Sequence, residues 1–504
     1  MVSCHLHCHG DEVRRKIQGT YPSRGRRNAL TNRIAFGTDG WRAIIADQFT
    51  LENVRVVAQA IASYTVERNQ QEQGIIVGYD TRFLGRMFAE EVARVLAANG
   101  IRADLVNEAT PTPVVAFGVK HFAASGAVMI TASHNPPAYN GIKYIPDYAG
   151  PAAPDITRRL EALIASVQAE GGVATVELAE ASRRELLQDI YLRPHYEAHM
   201  RRIIRFDVLR RADLRVVTDP MHGAGIGYVS ALLGEAGIET IGIREYADPL
   251  FGGDLPEPGE KHLGELCREV VQRKAALGLA NDGDGDRFGV VDRFGRYIRP
   301  NDVLPLLTRH LVKNRGMSGR IVRTVATTHL LDRIAERYGL ELVETPVGFK
   351  YIGAEMVKGN VLIGGEESGG ASIAGHIPEK DGILINLLVA EMCAWEDKEL
   401  DAILRDVREE FGETFHTRID VRNGAIGRGI AELLEEPPDH VGPYRVVGIN
   451  RIDGIKLLLE DGHWVLLRPS GTEPVLRIYC EATALPALKK LKEAVRDWFD
   501  EGIG

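Results

Sequence analysis

Ser125-Gly126-Ala127-Val128-Met129-Ile130 runs directly into Thr131-Ala132-Ser133-His134-Asn135-Pro136. The first half is a short apolar run of small and branched residues, the pattern of a buried strand. The second half is polar and ends against Pro136-Pro137, which stop the strand and fix the exit of the loop. A serine on a loop leaving such a strand sits at the carboxyl edge of a sheet, where open α/β folds bind ligands. Ser133 is therefore expected to present its hydroxyl rather than bury it. Alone, such a serine reads as a solvated turn residue. Its weight comes from later stretches of the same build.

Outward from this stretch, strand and helix patterns alternate. Residues 74–80 read as a strand, 87–98 as a helix and 125–130 as a strand. After a polar, helical connector around 184–205 the pattern restarts, with strands at 214–217 and 277–280 and a helix at 228–236. A third round places strands at 320–325 and 361–363 around a helix at 329–338. Alternating elements of this kind imply parallel sheets covered by helices. Each round ends in an apolar strand that empties into a polar, glycine-containing loop, a threefold repeat of architecture without visible sequence repetition. From about 416 the character changes to closely spaced strands (444–449, 454–459, 464–467, 476–480) and a closing helix near 485–500, a smaller α+β domain.

The second loop is Asn281-Asp282-Gly283-Asp284-Gly285-Asp286-Arg287. Three carboxylates at alternate positions can converge on one cation, and without one they would repel each other. It is not an EF-hand, because Arg287 stands where the sixth position needs Gly and Arg293 where the twelfth needs Glu. Mg²⁺ is the expected ion if a phosphoryl group completes its shell. The third loop, Gly364-Gly365-Glu366-Glu367-Ser368-Gly369-Gly370, offers a carboxylate and a hydroxyl to sugar hydroxyls. In the last domain Arg468-Pro469-Ser470-Gly471-Thr472-Glu473-Pro474 joins two strands and reads as a phosphate cradle. No Walker loop, dinucleotide fingerprint or Gly-x-Ser-x-Gly elbow is present.

Length and composition bound these readings. At 504 residues the chain should form about three or four domains. Its 44% hydrophobic and 26% charged residues are those of an ordinary globular protein. No apolar run approaches the ~18 residues of a spanning helix, so no membrane partner is expected. A net charge of -9 argues against general nucleic-acid binding. The five cysteines are odd in number and scattered, which suits reduced thiols and a cytoplasmic protein. Residues 1–35 read as a disordered extension; Cys4, His5, His7, Cys8 and His9 lack a second ligand pair at zinc-finger spacing.

With its four loops in order, the chain resembles the α-D-phosphohexomutase superfamily, in its phosphoglucomutase/phosphomannomutase branch. The resemblance runs from Phe36-Gly37-Thr38-Asp39-Gly40-Trp41-Arg42 to Arg477. It implies three related mixed α/β domains around a cleft plus a smaller C-terminal α+β domain. The corresponding boundaries are 36–205 with the phosphoserine loop, 206–300 with the metal loop, 301–414 with the sugar loop and 415–504 with the phosphate loop. It implies a phosphorylated Ser133 sharing Mg²⁺ with Asp282, Asp284 and Asp286. Lys143 is then the general acid or base, His134 steadies the phosphoserine, and Arg42 and Arg287 neutralise the transferring group. Gly348, Lys350, Glu366 and Ser368 would contact the sugar, while Arg468, Ser470, Gly471, Thr472 and Arg477 would hold the distal phosphate. Many bacterial members carry His two residues beyond the sugar-loop serine, where this chain has Gly370. His376 and Lys380 are the replacements expected from similar segments in other branches.

The implied reaction moves a phosphoryl group reversibly between O1 and O6 of glucose or mannose phosphate, primed by glucose 1,6-bisphosphate. Phosphoglucosamine mutase is the alternative within the superfamily. A metal-dependent sugar phosphatase would need water to reach the phosphoserine. A non-catalytic phosphosugar binder would need neither nucleophile nor metal. The expected partner is a small hexose phosphate, and the expected assembly a monomer or homodimer.

Overall fold

A computed structural model describes residues 34–37, 39–421, 435–469 and 475–500. Four sheets carry the fold, and three follow one plan. The first contains β1 (Trp41–Ile44), β2 (Ile75–Tyr79), β3 (Ala103–Val106), β4 (Gly126–Ile130), β5 (Tyr139–Pro146) and β6 (Leu187–Ile190), in the order β1-β5-β4-β2-β3-β6. β2 pairs in parallel with β3 on one side and β4 on the other, and β5 returns antiparallel along β4. The second sheet holds β7 (Arg215–Asp219), β8 (Glu239–Gly242), β9 (Leu277–Asn281), β10 (Phe288–Asp292) and β11 (Tyr297–Ile298). There β7 lies in parallel between β8 and β9, and β10 returns along β9. The third, with β12 (Arg320–Thr324), β13 (Leu342–Thr345), β14 (Val361–Gly365) and β15 (Ala371–Ile373), repeats the arrangement again.

The repeat has a functional consequence. In each unit a loop leaves the carboxyl end of a parallel-paired strand (β4, β9 or β14) and the chain comes back antiparallel, so the serine, aspartate and glutamate loops occupy equivalent places. β4, β9 and β14 are buried at every position, covered on both faces, which is why they read as unbroken apolar runs. The connector at 184–205 differs from the helical expectation. Its first part is β6, a partly exposed edge strand parallel to β3, and only then does the helix Arg193–Ile203 begin.

The fourth sheet comprises β16 (Phe415–Val421), β17 (His440–Val441), β18 (Tyr444–Asn450), β19 (Ile455–Leu459), β20 (Trp464–Pro469) and β21 (Leu476–Ala482). Every pairing in it is antiparallel. The closing helix Leu485–Asp500 covers one face through Leu488, Leu491 and Val495, giving this domain its own core. One continuous core links the first three units. Trp464, Leu466 and Tyr479 on the fourth sheet meet Val325 and Ala326 of the third domain. Among the described residues no helix is long and apolar enough to cross a membrane.

Candidate active site

Ser133 stands on the loop between β4 and β5 with φ 51°. Its N–H donates to Thr131 Oγ1 at 2.8 Å, and the Thr131 hydroxyl donates to Asp80 Oδ2 at 2.6 Å. Arg82 collars the loop, donating to the carbonyls of Ser133 and Asn135 at 2.6 Å, Pro136 at 2.9 Å and Tyr139 at 3.0 Å. Asp80 and Arg82 leave the carboxyl edge of the neighbouring β2, so the strand beside the serine supplies the brace for its loop. Burial pushes the Asp80 carboxyl up to about 6 against the pull of Arg82. The sequence reading assigns neither residue. Their only signal is an acid and a base directly after an apolar run, at the same sheet edge as the serine.

The expectation that Ser133 presents its hydroxyl is corrected: the residue is 1% exposed. The aspartate loop lies on it, so close that a Cβ on Gly283 would stand 2.7 Å from the Ser133 carbonyl oxygen. The hydroxyl donates to Asp282 Oδ2 at 2.8 Å, across two domains. Nδ1 of His134 is 3.2 Å from the same oxygen. Burial and then Arg287 and Arg42 hold the His134 ring well below its ordinary pKa, so it is neutral.

Asp282, Asp284 and Asp286 are buried, with one oxygen of each within 4.8 Å of the others. Burial, and then Asp284 and Asp286, push the Asp282 carboxyl well above its ordinary value, the repulsion a cation would relieve. Lys143 on β5 donates to Asp284 Oδ2 at 2.9 Å and Asp286 Oδ2 at 2.8 Å, and Thr112 to Asp284 Oδ2 at 2.6 Å. The Oδ1 atoms of Asp284 and Asp286 are buried with no hydrogen-bond partner. Two orphaned carboxylate oxygens beside Asp282 fit a hard divalent cation.

A cation network surrounds this cluster. Asp39 Oδ2 lies 2.9 Å from Lys143 Nζ, 3.3 Å from Lys380 Nζ and 3.7 Å from Arg42 Nη2. Gly40, at φ 100°, allows the contact, because a Cβ there would be 2.4 Å from the Ile142 carbonyl oxygen beside Lys143. Burial opposes the charge on Lys143, but Asp284, Asp286 and Asp39 outweigh it and raise its pKa well above the ordinary lysine value. A cleft of about 580 Å³ opens from here, with Arg42 and His134 from the first domain and Arg287 from the second. Lys350, Glu366 and Ser368 reach it from the third, and Arg468 and Arg477 from the fourth.

The chain matches the phosphoglucomutase/phosphomannomutase alpha/beta/alpha domain I over residues 33–170. It matches domain II over 194–295, domain III over 299–411 and the C-terminal domain over 384–497. The chain belongs to the phosphoglucomutase/phosphomannomutase family. It is a phosphohexomutase, an isomerase of the α-D-phosphohexomutase superfamily. A phosphoglucomutase/phosphomannomutase of Thermococcus kodakarensis is 30% identical over 93% of this chain and 97% of its own length. A Pyrococcus abyssi chain assigned as a phosphoglucosamine mutase is 32% identical over 92% of this chain and 98% of its own. A crystal structure of a candidate phosphomannomutase from Thermus thermophilus superposes with a TM-score of 0.80 at 34% identity, covering 93% of this chain and 99% of that one.

Two of the residues expected from the family resemblance separate in space. Lys380 enters the cleft, with Nζ 3.3 Å from Asp286 Oδ2. It fills the space beside Gly370, where a Cβ would stand 2.4 Å from Lys380 Cδ. Glycine at 370 and lysine at 380 are therefore complementary. His376 is a correction: its ring is turned away from the cleft and held by Asp381 Oδ2 at 2.8 Å and His199 Nε2 at 3.0 Å. In the loop after β14 Ser368 Oγ donates to Glu366 Oε1 at 2.6 Å, and burial raises the Glu366 carboxyl. Gly348, at φ 127°, starts the helix Phe349–Val357 that carries Lys350. Arg468 Nε donates to Asp453 Oδ2 at 2.7 Å. Ser470, Gly471 and Thr472 lie outside the described residues. Arg418, which no sequence motif marks, also lines the cleft.

Proposed function

We propose that the protein moves a phosphoryl group reversibly between O1 and O6 of a hexose phosphate, with glucose and mannose phosphates as substrates. The group is stored on Ser133, and a hexose 1,6-bisphosphate turns end for end between the two half-reactions. The observation that carries this reading is Ser133 Oγ seated 2.8 Å from Asp282 beside two carboxylates with orphaned oxygens. A Mg²⁺ ion held by Asp282, Asp284, Asp286 and the phosphoryl group on Ser133 would supply charge withdrawal from the transferring group. In the first transfer the Ser133 Oγ–P bond breaks as a P–O bond to a sugar hydroxyl forms, and in the second the other sugar O–P bond breaks as the Ser133 Oγ–P bond reforms. The attacking hydroxyl gives up its proton and the departing oxygen takes one, the sugar and serine oxygens exchanging these parts between the two halves.

Arg42 and Arg287 flank His134 in the cleft and neutralise the equatorial phosphoryl oxygens. Lys143, held as an ammonium ion, is the acid for a departing oxygen and takes the proton back in the opposite half-reaction. Lys380, beside the same Asp286, is the second proton-transfer group. Glu366 and Ser368 bind the ring's middle hydroxyls, which stay within reach in both orientations. Gly348 and Lys350 contact the sugar, and Arg468, Ser470, Gly471, Thr472 and Arg477 hold the phosphate that is not transferred. A second reading, with glucosamine phosphate as the preferred substrate, is favoured by the similarity to the Pyrococcus abyssi chain.

Incubation with glucose 1,6-bisphosphate should load about one phosphate on the Ser133 peptide, read by mass spectrometry. Ser133→Ala should abolish both label and turnover. Label on another residue, or full turnover by the variant, would sink the reading. A coupled assay on glucose, mannose and glucosamine 1-phosphates ranks the substrates, and release of inorganic phosphate instead of isomer would mark a phosphatase.

A further inference from the structure

The helix Arg193–Ile203 follows the first unit and lines no part of the cleft, yet two of its side chains contact the segment that carries Lys380. Tyr196 and His199, three residues apart, share a helix face. The Tyr196 hydroxyl is buried and donates to Asp381 Oδ2 at 2.6 Å. His376 Nε2 meets the same oxygen at 2.8 Å, and its other ring nitrogen is 3.0 Å from His199 Nε2. The His376 ring thus bridges Asp381 and His199. The other oxygen of Asp381 accepts from Leu384 N at 2.9 Å and caps the helix Gly382–Glu396. Capping needs one oxygen, and the second carries two donors from outside that helix.

We infer that Tyr196 and His376, through Asp381, are positioning residues that seat Lys380 in the site, a role that rests on the mutase reading above. The loop they hold has no slack. Ser372 Oγ donates to the Ile377 carbonyl at 2.7 Å. The Pro378 carbonyl oxygen is pressed between the first and third domains, 2.6 Å from a Cβ built on Gly150 and 2.8 Å from one on Gly353. Asp381 N donates to Ala371 O at 3.0 Å. Lys380 is the next residue back, its ammonium 3.3 Å from both Asp39 and Asp286. A shift of Asp381 therefore moves the lysine off its carboxylates, while the groups of the fourth domain that would hold the distal phosphate stay where they are. A carboxylate held by two donors from separate elements resists that shift more than a simple cap does.

The experiment compares Tyr196→Phe, His376→Ala and His376→Gln in the full-length protein. Tyr196→Phe keeps the ring, edge-on to Phe117 and Tyr228 at 5.9 Å, and removes only the donor. Its kcat should fall about 10-fold with KM little changed, since a misplaced proton-transfer group costs rate rather than remote binding. His376→Gln, whose amide can still donate to Asp381, should recover most of what His376→Ala loses. In a Lys380→Met background Tyr196→Phe should cost nothing further, because the residue it positions is gone. Losses that multiply in that background, or a kcat equal to wild type, overturn the clamp. Independently of turnover, the reactivity of Lys380 toward an amine-selective reagent should rise severalfold in Tyr196→Phe, and unchanged reactivity also overturns it. Wild-type protein that isomerised no hexose phosphate would sink the mutase reading instead, with the reactivity comparison still deciding the clamp.

Discussion

Glu379 sits beside Lys380 with 2% of its surface exposed. Its Oε1 accepts from Lys380 N at 3.0 Å and lies 3.6 Å from Lys380 Nζ. Burial pushes its carboxyl up to about 8, with Lys380 opposing and Asp39 adding to the rise. A folded-state value above the unfolded one means that the unfolded chain releases the proton first. The favourable contribution is complete below about 4.5 and is lost as pH rises toward 8. Glu379→Gln keeps the acceptor and removes the titration. Calorimetry should find the two proteins alike near pH 4.5 and the variant more stable at pH 9, by on the order of a few kcal/mol. A constant difference in Tm across that range would show that Glu379 ionises freely in the fold. At this scale the sequence is legible where chemistry repeats in a short span: Asp282, Asp284 and Asp286 leave little else to be. Asp39, Asp80 and Arg82 are not legible as site residues, because each acts on a partner far along the chain, and only folding reveals the pairing.

The serine and aspartate loops meet backbone to backbone, and one glycine permits it. A Cβ on Gly283 would be 2.7 Å from the Ser133 carbonyl oxygen and 3.1 Å from Pro256 Cγ, while Gly223 faces Gly283 from the other side with a Cβ 2.7 Å from its carbonyl oxygen. Neither backbone neighbour can yield without moving a strand end. Gly283→Ala should therefore push the aspartates away from Ser133 Oγ, lowering kcat by about 10- to 100-fold with the fold retained. A variant with wild-type kcat would mean that the 2.8 Å contact with Asp282 is not needed for transfer. Elements that are buried on both faces, such as β2, β4, β9 and β14, announce themselves as apolar runs. β5 does not: Tyr139-Asn140-Gly141 after two prolines reads as a turn, and the segment becomes a strand only because β4 and β1 pair with it on both sides. Lys143 inherits its place from that pairing. The choice between His376 and Lys380 is equally hidden, since their loop has no period from which to read direction.

At the scale of the whole molecule three domains share a core and the fourth keeps its own, so the cleft is closed by a separately built part. Its seat on the third domain is half polar. Lys456, fully buried, donates to Val325 O at 2.8 Å and to Glu344 Oε2 at 3.2 Å, with its ammonium 4.2 Å from the Trp464 ring. Polar seats of this kind are those of domains that move relative to one another. The link is the stretch from Gly412, at φ 84° after the helix Leu400–Phe411, into β16. What such a domain can offer the reaction is a grip on the far end of the substrate. Arg468 is the residue to test. It is opposite Arg477 in the β20–β21 register, two guanidinium side chains on one face, an arrangement that repels unless an anion joins it. Asp453 supplies one, accepting from Arg468 Nε and also from Val347 N of the third domain at 3.0 Å. A phosphate between the two guanidinium groups would add a second anion, and its binding would draw the fourth domain onto the loop that leads to Gly348 and Lys350. A charge-assisted hydrogen bond of this kind contributes about 1.5–3 kcal/mol, so Arg468→Ala should raise KM about 10- to 100-fold. It should lower kcat as well, because remote binding aligns the reacting oxygen at Ser133 and that alignment is lost with the grip. Steady-state kinetics with glucose 1-phosphate separates the two effects. A change in Tm alone, with KM and kcat intact, would move the distal phosphate to another wall of the cleft.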